Sequence, residues 1–285
     1  MVSIKQWQRM AQLVISLTLA LATIAVCTSA YRWLVMGALD YWLRLSTDAS
    51  VILRRVGTIA MLFTGYWLFA RFYERRTVTE WAFKPGAMIV SAISGALLIS
   101  LTIIALFLLG NYQVSQYRGF DLAPAIVGTI FLGALVGELV FRGLVFRLFE
   151  QYVGTIWALA IPSVLFGLAH LFNDGASIMT LLSVTLLGAF WTLIYVWTRN
   201  LWVVTVNHAA WNTAIFLSGV PLSGQTEWRS ASPWESQYQG ANWLTGGAFG
   251  PEDSLINIVF MLVVVSVFAW RCAKRGSLTA QIRGG

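Results

Sequence analysis

Apolar runs of about twenty residues recur from one end of this 285-residue chain to the other, each long enough to cross the roughly 30 Å hydrocarbon layer of a bilayer as a helix. They lie at Met10 to Ala30, Val56 to Ala70, Ala87 to Leu109, Leu122 to Phe149, Val153 to Phe172, Ala176 to Trp197, Leu201 to Leu217 and Leu255 to Trp270, which predicts about eight spans. With 58% hydrophobic and 11% charged residues, the chain is far from the mix of a soluble globular domain. The expected fold is all-α, a polytopic helical bundle in a membrane.

The net charge of +7 would suggest nucleic acid as a partner in a soluble protein. Here the cations sit at the ends of spans, so membrane orientation accounts for them and no nucleic acid is expected. Lys5, Arg9, Arg71, Arg75, Arg76, Lys84, Arg147, Arg199, Arg271, Lys274, Arg275 and Arg283 fall on one side. Arg32, Arg44, Arg54, Arg55, Arg118 and Arg229 form a weaker set on the other, with the Arg54, Arg55 pair its one awkward member. The positive-inside rule then puts both termini in the cytoplasm. Lys5, Arg9 and the apolar run ending Thr28-Ser29-Ala30 would also suit a secretory signal peptide, but the number of later spans favours an uncleaved anchor.

No polar linker separates two folded units, so one membrane domain is expected, in three parts: N-terminal spans over 1–121, a core over 122–223, and an outer loop with the last span over 224–285. Tyr31 to Arg55, with Trp33, Trp42, Asp40, Arg44 and Asp48, suggests an interfacial amphipathic stretch. The polar segment from Val220 to Asp253 suggests an interfacial loop, with Trp228, Trp234 and Trp243 at headgroup depth, or a lid over a groove. Gly133 and Gly143 fit tight helix packing.

Chemistry is scarce in such a chain, which makes it conspicuous. An ionisable group in hydrocarbon costs roughly 2.5 to 3.5 kcal/mol on insertion scales and persists mainly where it is paired or functional. Only two histidines are present, His170 and His208, and both lie in spans, as does Glu138. Glu138 and Arg142 are four apart, so on a helix they share a face and can pair. His208 and Asn212 repeat that spacing and together can donate hydrogen bonds to a developing oxyanion. His170 closes its span with Phe166 one turn behind on the same face. Each feature alone is also compatible with polar groups holding helices together.

Taken in order and spacing, Glu138-Leu139-Val140-Phe141-Arg142-Gly143, Phe166 to His170, and His208-Ala209-Ala210-Trp211-Asn212 resemble the three motifs of the CPBP intramembrane proteases. That family includes the type II CAAX prenyl (Rce1-like) proteases and bacteriocin-processing and immunity proteins of the Abi type. The resemblance spans Leu122 to Ser223. It implies a conical helical bundle with a peptide-accessible cavity, His170 acting on a nucleophilic water, and His208 with Asn212 as the oxyanion site. The family's first motif opens with two adjacent glutamates, and the first of these, the partner of the second-motif histidine, is Gly137 here. By position Glu138 takes the second glutamate's supporting role, paired with Arg142.

Three repairs are open: Glu138 serves as base after a helix rotation of about 100° per position, His170 acts alone or oriented by Asp174, or hydrolysis has been lost. A zinc reading, with His170, His208 and Glu138 as ligands, is a further alternative to a cofactor-free mechanism. The expectation is an intramembrane endopeptidase, catalytic residues Glu138, His170, His208 and Asn212 with Arg142 and Phe166 in support, acting on a membrane-embedded or membrane-associated peptide in a bacterial inner membrane. The alternative is a catalytically silent peptide-binding or immunity scaffold.

Overall fold

The computed structural model describes residues 4–44 and 46–279, without the side chains of 4–6, 47 and 48. Arg283 and the side chains of Lys5 and Asp48, named above for their charge, therefore lie outside the described residues. The chain forms two compact units, residues 1–79 and 80–285.

The first unit is a helical hairpin. α1 (Ile4–Ala30) runs without interruption through a π-helical turn (Tyr31–Val35) into α2 (Met36–Leu43). The stretch expected to lie along the interface thus continues the first helix instead of leaving it. Arg44 in the left-handed region (φ 47°) ends the run, and Ser46 caps α3 (Thr47–Leu68) by accepting from the Ala49 N–H. Two glycines let α3 approach α1: a Cβ at Gly57 would stand 1.9 Å from the Tyr31 ring, and one at Gly65 would stand 2.7 Å from the Ile24 Cα. Arg54, awkward in the charge pattern, pairs with Asp40.

The second unit contains α4 (Pro85–Leu108), α5 (Ala123–Glu138), α6 (Arg147–His170), α7 (Ile178–Thr198), α8 (Leu201–Leu217), a single turn α9 (Asn242–Thr245) and α10 (Leu255–Lys274). Caps punctuate these helices: a Ser177/Thr180 capping box opens α7, Asn200 opens α8 and Ser254 opens α10. α7 is the most enclosed of them, and Leu187, Trp191 and Leu193 on it are almost wholly buried.

Small and polar residues join the helices where lipid provides no hydrophobic drive. A Cβ at Gly95 of α4 would meet the Asn207 carbonyl of α8 at 2.4 Å, while Asn207 Nδ2 donates to the Ser91 carbonyl at 2.7 Å. Gly167 of α6 and Gly188 of α7 leave similar room between those two helices. Outward faces of α4 and α10 expose Ile89, Ile93, Leu97, Leu101, Val259 and Val263, as a helix bordered by acyl chains should.

Six helical stretches among the described residues are long and apolar enough to cross a membrane. This differs from the expected eight in two places. The predicted fourth and fifth spans lie in one continuous stretch, Ala123–His170, and α8 is only 17 residues long. The polytopic helical fold stands.

One element was not foreseen. β1 (Tyr112–Tyr117) pairs antiparallel with β2 (Trp234–Tyr238), with a bulge between Val114 and Gln116. β2 belongs to the polar segment expected to be an interfacial loop, which also folds into 3-10 turns at Thr226–Ala231 and Pro251–Asp253. This segment is therefore ordered and tied to the bundle.

Candidate active site

The site begins with a hairpin. α5 ends at Glu138 and continues as a π-helix, Leu139–Phe146, before α6. Helix therefore persists past Gly143 and on through Phe146. The break comes at Gly154 (φ 79°, ψ 168°), in a region that only glycine adopts readily. Glu138 and His170 each stand 16 residues from Gly154. The two limbs run back beside each other, with the Phe141 and Phe166 rings edge to face at 5.0 Å. With the reversal centred on Gly154, Glu138 and His170 stand at the same end of the hairpin.

Between this hairpin, α7 and α8 lies a cavity of about 490 Å³ whose lining includes Gly137, Phe166, His170, His208 and Asn212. Four residues expected at the site from sequence thus share one cavity wall. Glu138 does not line it.

His170 is the last residue of α6, and its Nδ1 lies 2.8 Å from the Phe166 carbonyl oxygen. A carbonyl can only accept, so Nδ1 carries the proton and Nε2 presents a lone pair in the neutral ring. Phe166 also stacks obliquely on this imidazole, with centroids 4.6 Å apart. Asp174 is exposed in the turn beyond and makes no hydrogen bond to His170, so it does not orient the ring.

His208 projects from α8 with its ring stacked on Trp191 at 3.7 Å. Its Nδ1 hydrogen-bonds Glu138 Oε1 at 2.8 Å. Arg142 completes the cluster from one turn further on: Nη1 lies 3.1 Å from both Glu138 oxygens and Nη2 donates to the Gly188 carbonyl at 2.7 Å. Its guanidinium also lies 5.1 Å from the Phe166 ring centroid. Burying a carboxylate this completely is tolerable only with such opposite charge and hydrogen bonding. Glu138 is engaged by His208 Nδ1 and Arg142 and does not line the cavity, so the helix rotation that would bring it there has not occurred.

Asn212, one turn after His208, lines the cavity with its buried Oδ1 lacking a hydrogen-bond partner among the described residues. Its carboxamide oxygen and nitrogen are assigned by partners, so this face of the amide is open to a ligand of either polarity. At Gly137 an added Cβ would meet nothing within 4 Å, and the same holds at Gly133, so both glycines open the cavity and neither marks a tight helix crossing. No cluster of three or more His, Cys, Asp or Glu among the described residues is arranged to hold a metal ion.

Sequence reasoning missed Glu252 and Asp253, which were assigned to the polar loop. Both are buried, at 2% and 3% exposure, just before α10. Burial pushes the Glu252 carboxyl up to about 7 and the Asp253 carboxyl up to about 6, with hydroxyl hydrogen bonds from Ser223, and from Ser183 and Thr180, opposing the shift in each case. The only local signal was an acidic pair placed directly before an apolar run with no neighbouring cation.

No curated protein and no solved structure matches this chain. Residues 119–214, about a third of it, match the family described as type II CAAX prenyl endopeptidase Rce1-like, and that stretch contains Glu138, Arg142, Phe166, His170, His208 and Asn212. The stretch that carries the three motifs is thus similar to the Rce1-like family, which those motifs resemble.

Proposed function

We propose that the protein is an intramembrane endopeptidase that hydrolyses a membrane-embedded or membrane-associated peptide without a metal. The observation that carries this reading is the convergence of His170, His208 and Asn212, from separate parts of two helical elements, on one cavity within the membrane-spanning bundle. Both imidazoles have Nδ1 engaged from behind and Nε2 without a hydrogen bond among the described residues. Such preorganised groups are worth most where water is scarce.

In this scheme His170 Nε2 binds and polarises the attacking water. A doubly protonated His208 donates from Nδ1 to Glu138 and, together with the Asn212 amide, from Nε2 to the tetrahedral oxyanion. Glu138 acts through His208 as a positioning residue, and Arg142 balances its charge. The excess of cations on one side supports both termini being cytoplasmic, and the family resemblance suggests a bacterial inner membrane.

A second reading, a silent peptide-binding or immunity scaffold, is favoured by one observation: position 137, which faces the cavity, carries no side chain. The full-length protein in lipid nanodiscs, given fluorophore-quencher peptides with and without a prenylated C-terminus, separates the two. The protease reading expects cleavage that His170→Ala abolishes. Binding that survives His170→Ala, with new cleavage appearing only in Gly137→Glu, would favour the scaffold.

A further inference from the structure

We propose that Glu252, on the turn before α10, is the catalytic carboxylate of this cavity and takes the proton of the attacking water. The inference rests on the endopeptidase reading above. Glu252 is the one acidic residue among those lining the cavity, because Glu138 is withdrawn behind His208. It lies outside the matched stretch and arrives from a segment remote in sequence from both histidines.

Two aligned hydrogen bonds hold one oxygen of the carboxylate. Oε2 accepts from the Ser223 N–H at 2.8 Å and from the Ser223 hydroxyl at 2.7 Å. No aligned hydrogen bond engages Oε1 among the described residues. The buried Trp211 indole on α8 lies toward the same carboxylate and has no aligned acceptor of its own. Ser223 is in the left-handed region (φ 47°), and its carbonyl accepts from Asn173 Nδ2 at 2.9 Å. Because Asn173 follows His170 by three residues, Ser223 ties the end of α6 to Glu252. Asp253 next door makes an instructive contrast. Its two oxygens are taken by the Thr180 and Ser183 hydroxyls of α7, which suits an anchor.

A base must be ionised in part near neutral pH and still want a proton, and burial brings Glu252 into that range. The water then donates one hydrogen to His170 Nε2 and loses the other to Glu252 Oε1. As that O–H bond breaks, the water oxygen bonds to the scissile carbonyl carbon and the C=O π pair moves to the oxygen faced by His208 and Asn212. When the C–N bond breaks, the Glu252 proton passes to the departing nitrogen. The products are an acid and an amine, and the carboxylate is regenerated.

The test uses the full-length protein in nanodiscs and two quenched peptides, one ending in a farnesylated cysteine tripeptide and one unprenylated with an apolar segment. Glu252→Gln is expected to lower kcat about 100-fold or more with KM little changed, the loss typical for removal of a general base. Adding Gly137→Glu to that variant is expected to restore about tenfold or more, because a carboxylate at 137 enters the same cavity. Wild-type cleavage that is abolished by His170→Ala but survives Glu252→Gln within about threefold overturns the proposal while the endopeptidase reading stands. No cleavage by any form overturns both. A Glu252→Gln loss that comes with a lower melting temperature and is not relieved by Gly137→Glu assigns Glu252 to holding Ser223, and also overturns it. Should Glu252→Gln fail to fold, Glu252→Asp keeps the charge but retracts it, and an unchanged kcat there counts against the proposal.

Discussion

His208 Nδ1 and Glu138 Oε1 are 2.8 Å apart although the residues are 70 positions apart in the chain. One fully buried carboxylate thereby joins α5 to α8, with Arg142 closing the pair from the same helical run as Glu138. The arrangement fixes which nitrogen of His208 faces the cavity.

Glu138→Gln should therefore lower stability by about 3 to 5 kcal/mol, the usual cost of removing one partner from a buried pair, because the Arg142 charge is left uncompensated. Thermal unfolding in detergent micelles reads this directly. Glu138→Gln with Arg142→Met should recover part of the loss, since a buried ion pair replaced as a unit is often tolerated. An unchanged melting temperature in the single variant would mean that the cluster does not hold α5 to α8.

The glycines facing the cavity and those between helices should respond in opposite ways. Gly137→Glu places its side chain in open space and replaces a glycine within a helix, so stability should stay level or rise by about 0.5 to 1 kcal/mol. At Gly95 an added methyl would sit 2.4 Å from the Asn207 carbonyl, and Gly95→Ala should lose about 1 to 3 kcal/mol through forced separation of α4 and α8. Melting temperatures of the two variants, measured side by side, check the contrast.

Much of the cavity was legible in the order of three short motifs, and the reasons differ by residue. Glu138 with Arg142 and His208 with Asn212 are pairs at helical spacing, which fixes a shared face before any tertiary contact is known. Phe166 and His170 obey the same local rule and do stack. What local spacing does not carry is the meeting of remote segments. β1 and β2 are short, polar and more than a hundred residues apart, so nothing near either strand announces the other. The reversal at Gly154 sits inside a stretch whose hydropathy runs on unchanged, and Glu252 looks like any loop carboxylate until the loop is seen folded against His170's turn.

Stability should depend on pH through the acidic pair before α10. The folded carboxyls of Glu252 and Asp253 titrate at about 7 and about 6, above their ordinary values of 4.5 and 3.8. The folded state thus holds these protons more tightly than the unfolded chain does. The stabilisation is present in full below the unfolded values and is lost as pH rises through 4 to 7. For Glu252 the loss is on the order of 3 kcal/mol. The groups facing it are Ser223, Trp211 and Asp253, with Tyr238 of β2 further off, and none is a cation that would reverse the sign. Melting curves between pH 4 and 8 should show this decline, and Glu252→Gln should flatten it.

The alignment of the two limbs of the hairpin rests on the backbone at Gly154. With φ 79° and ψ 168° the residue occupies a region that any side chain enters only at a cost of about 1 to 3 kcal/mol. Gly154→Ala should either lose that stability or relax the turn, and a relaxed turn rotates or slides α6 against the π-helical stretch Leu139–Phe146. A shift of one residue moves His170 by about 1.5 Å along α6 and about 100° around it, enough to take Nε2 away from the groups it faces. Peptide cleavage by Gly154→Ala should fall more steeply than its melting temperature predicts, whereas Gly133→Ala, in open space on α5, should leave stability level or raise it by about 0.5 to 1 kcal/mol. Activity of Gly154→Ala that tracks its stability alone would show that the hairpin does not set the catalytic geometry.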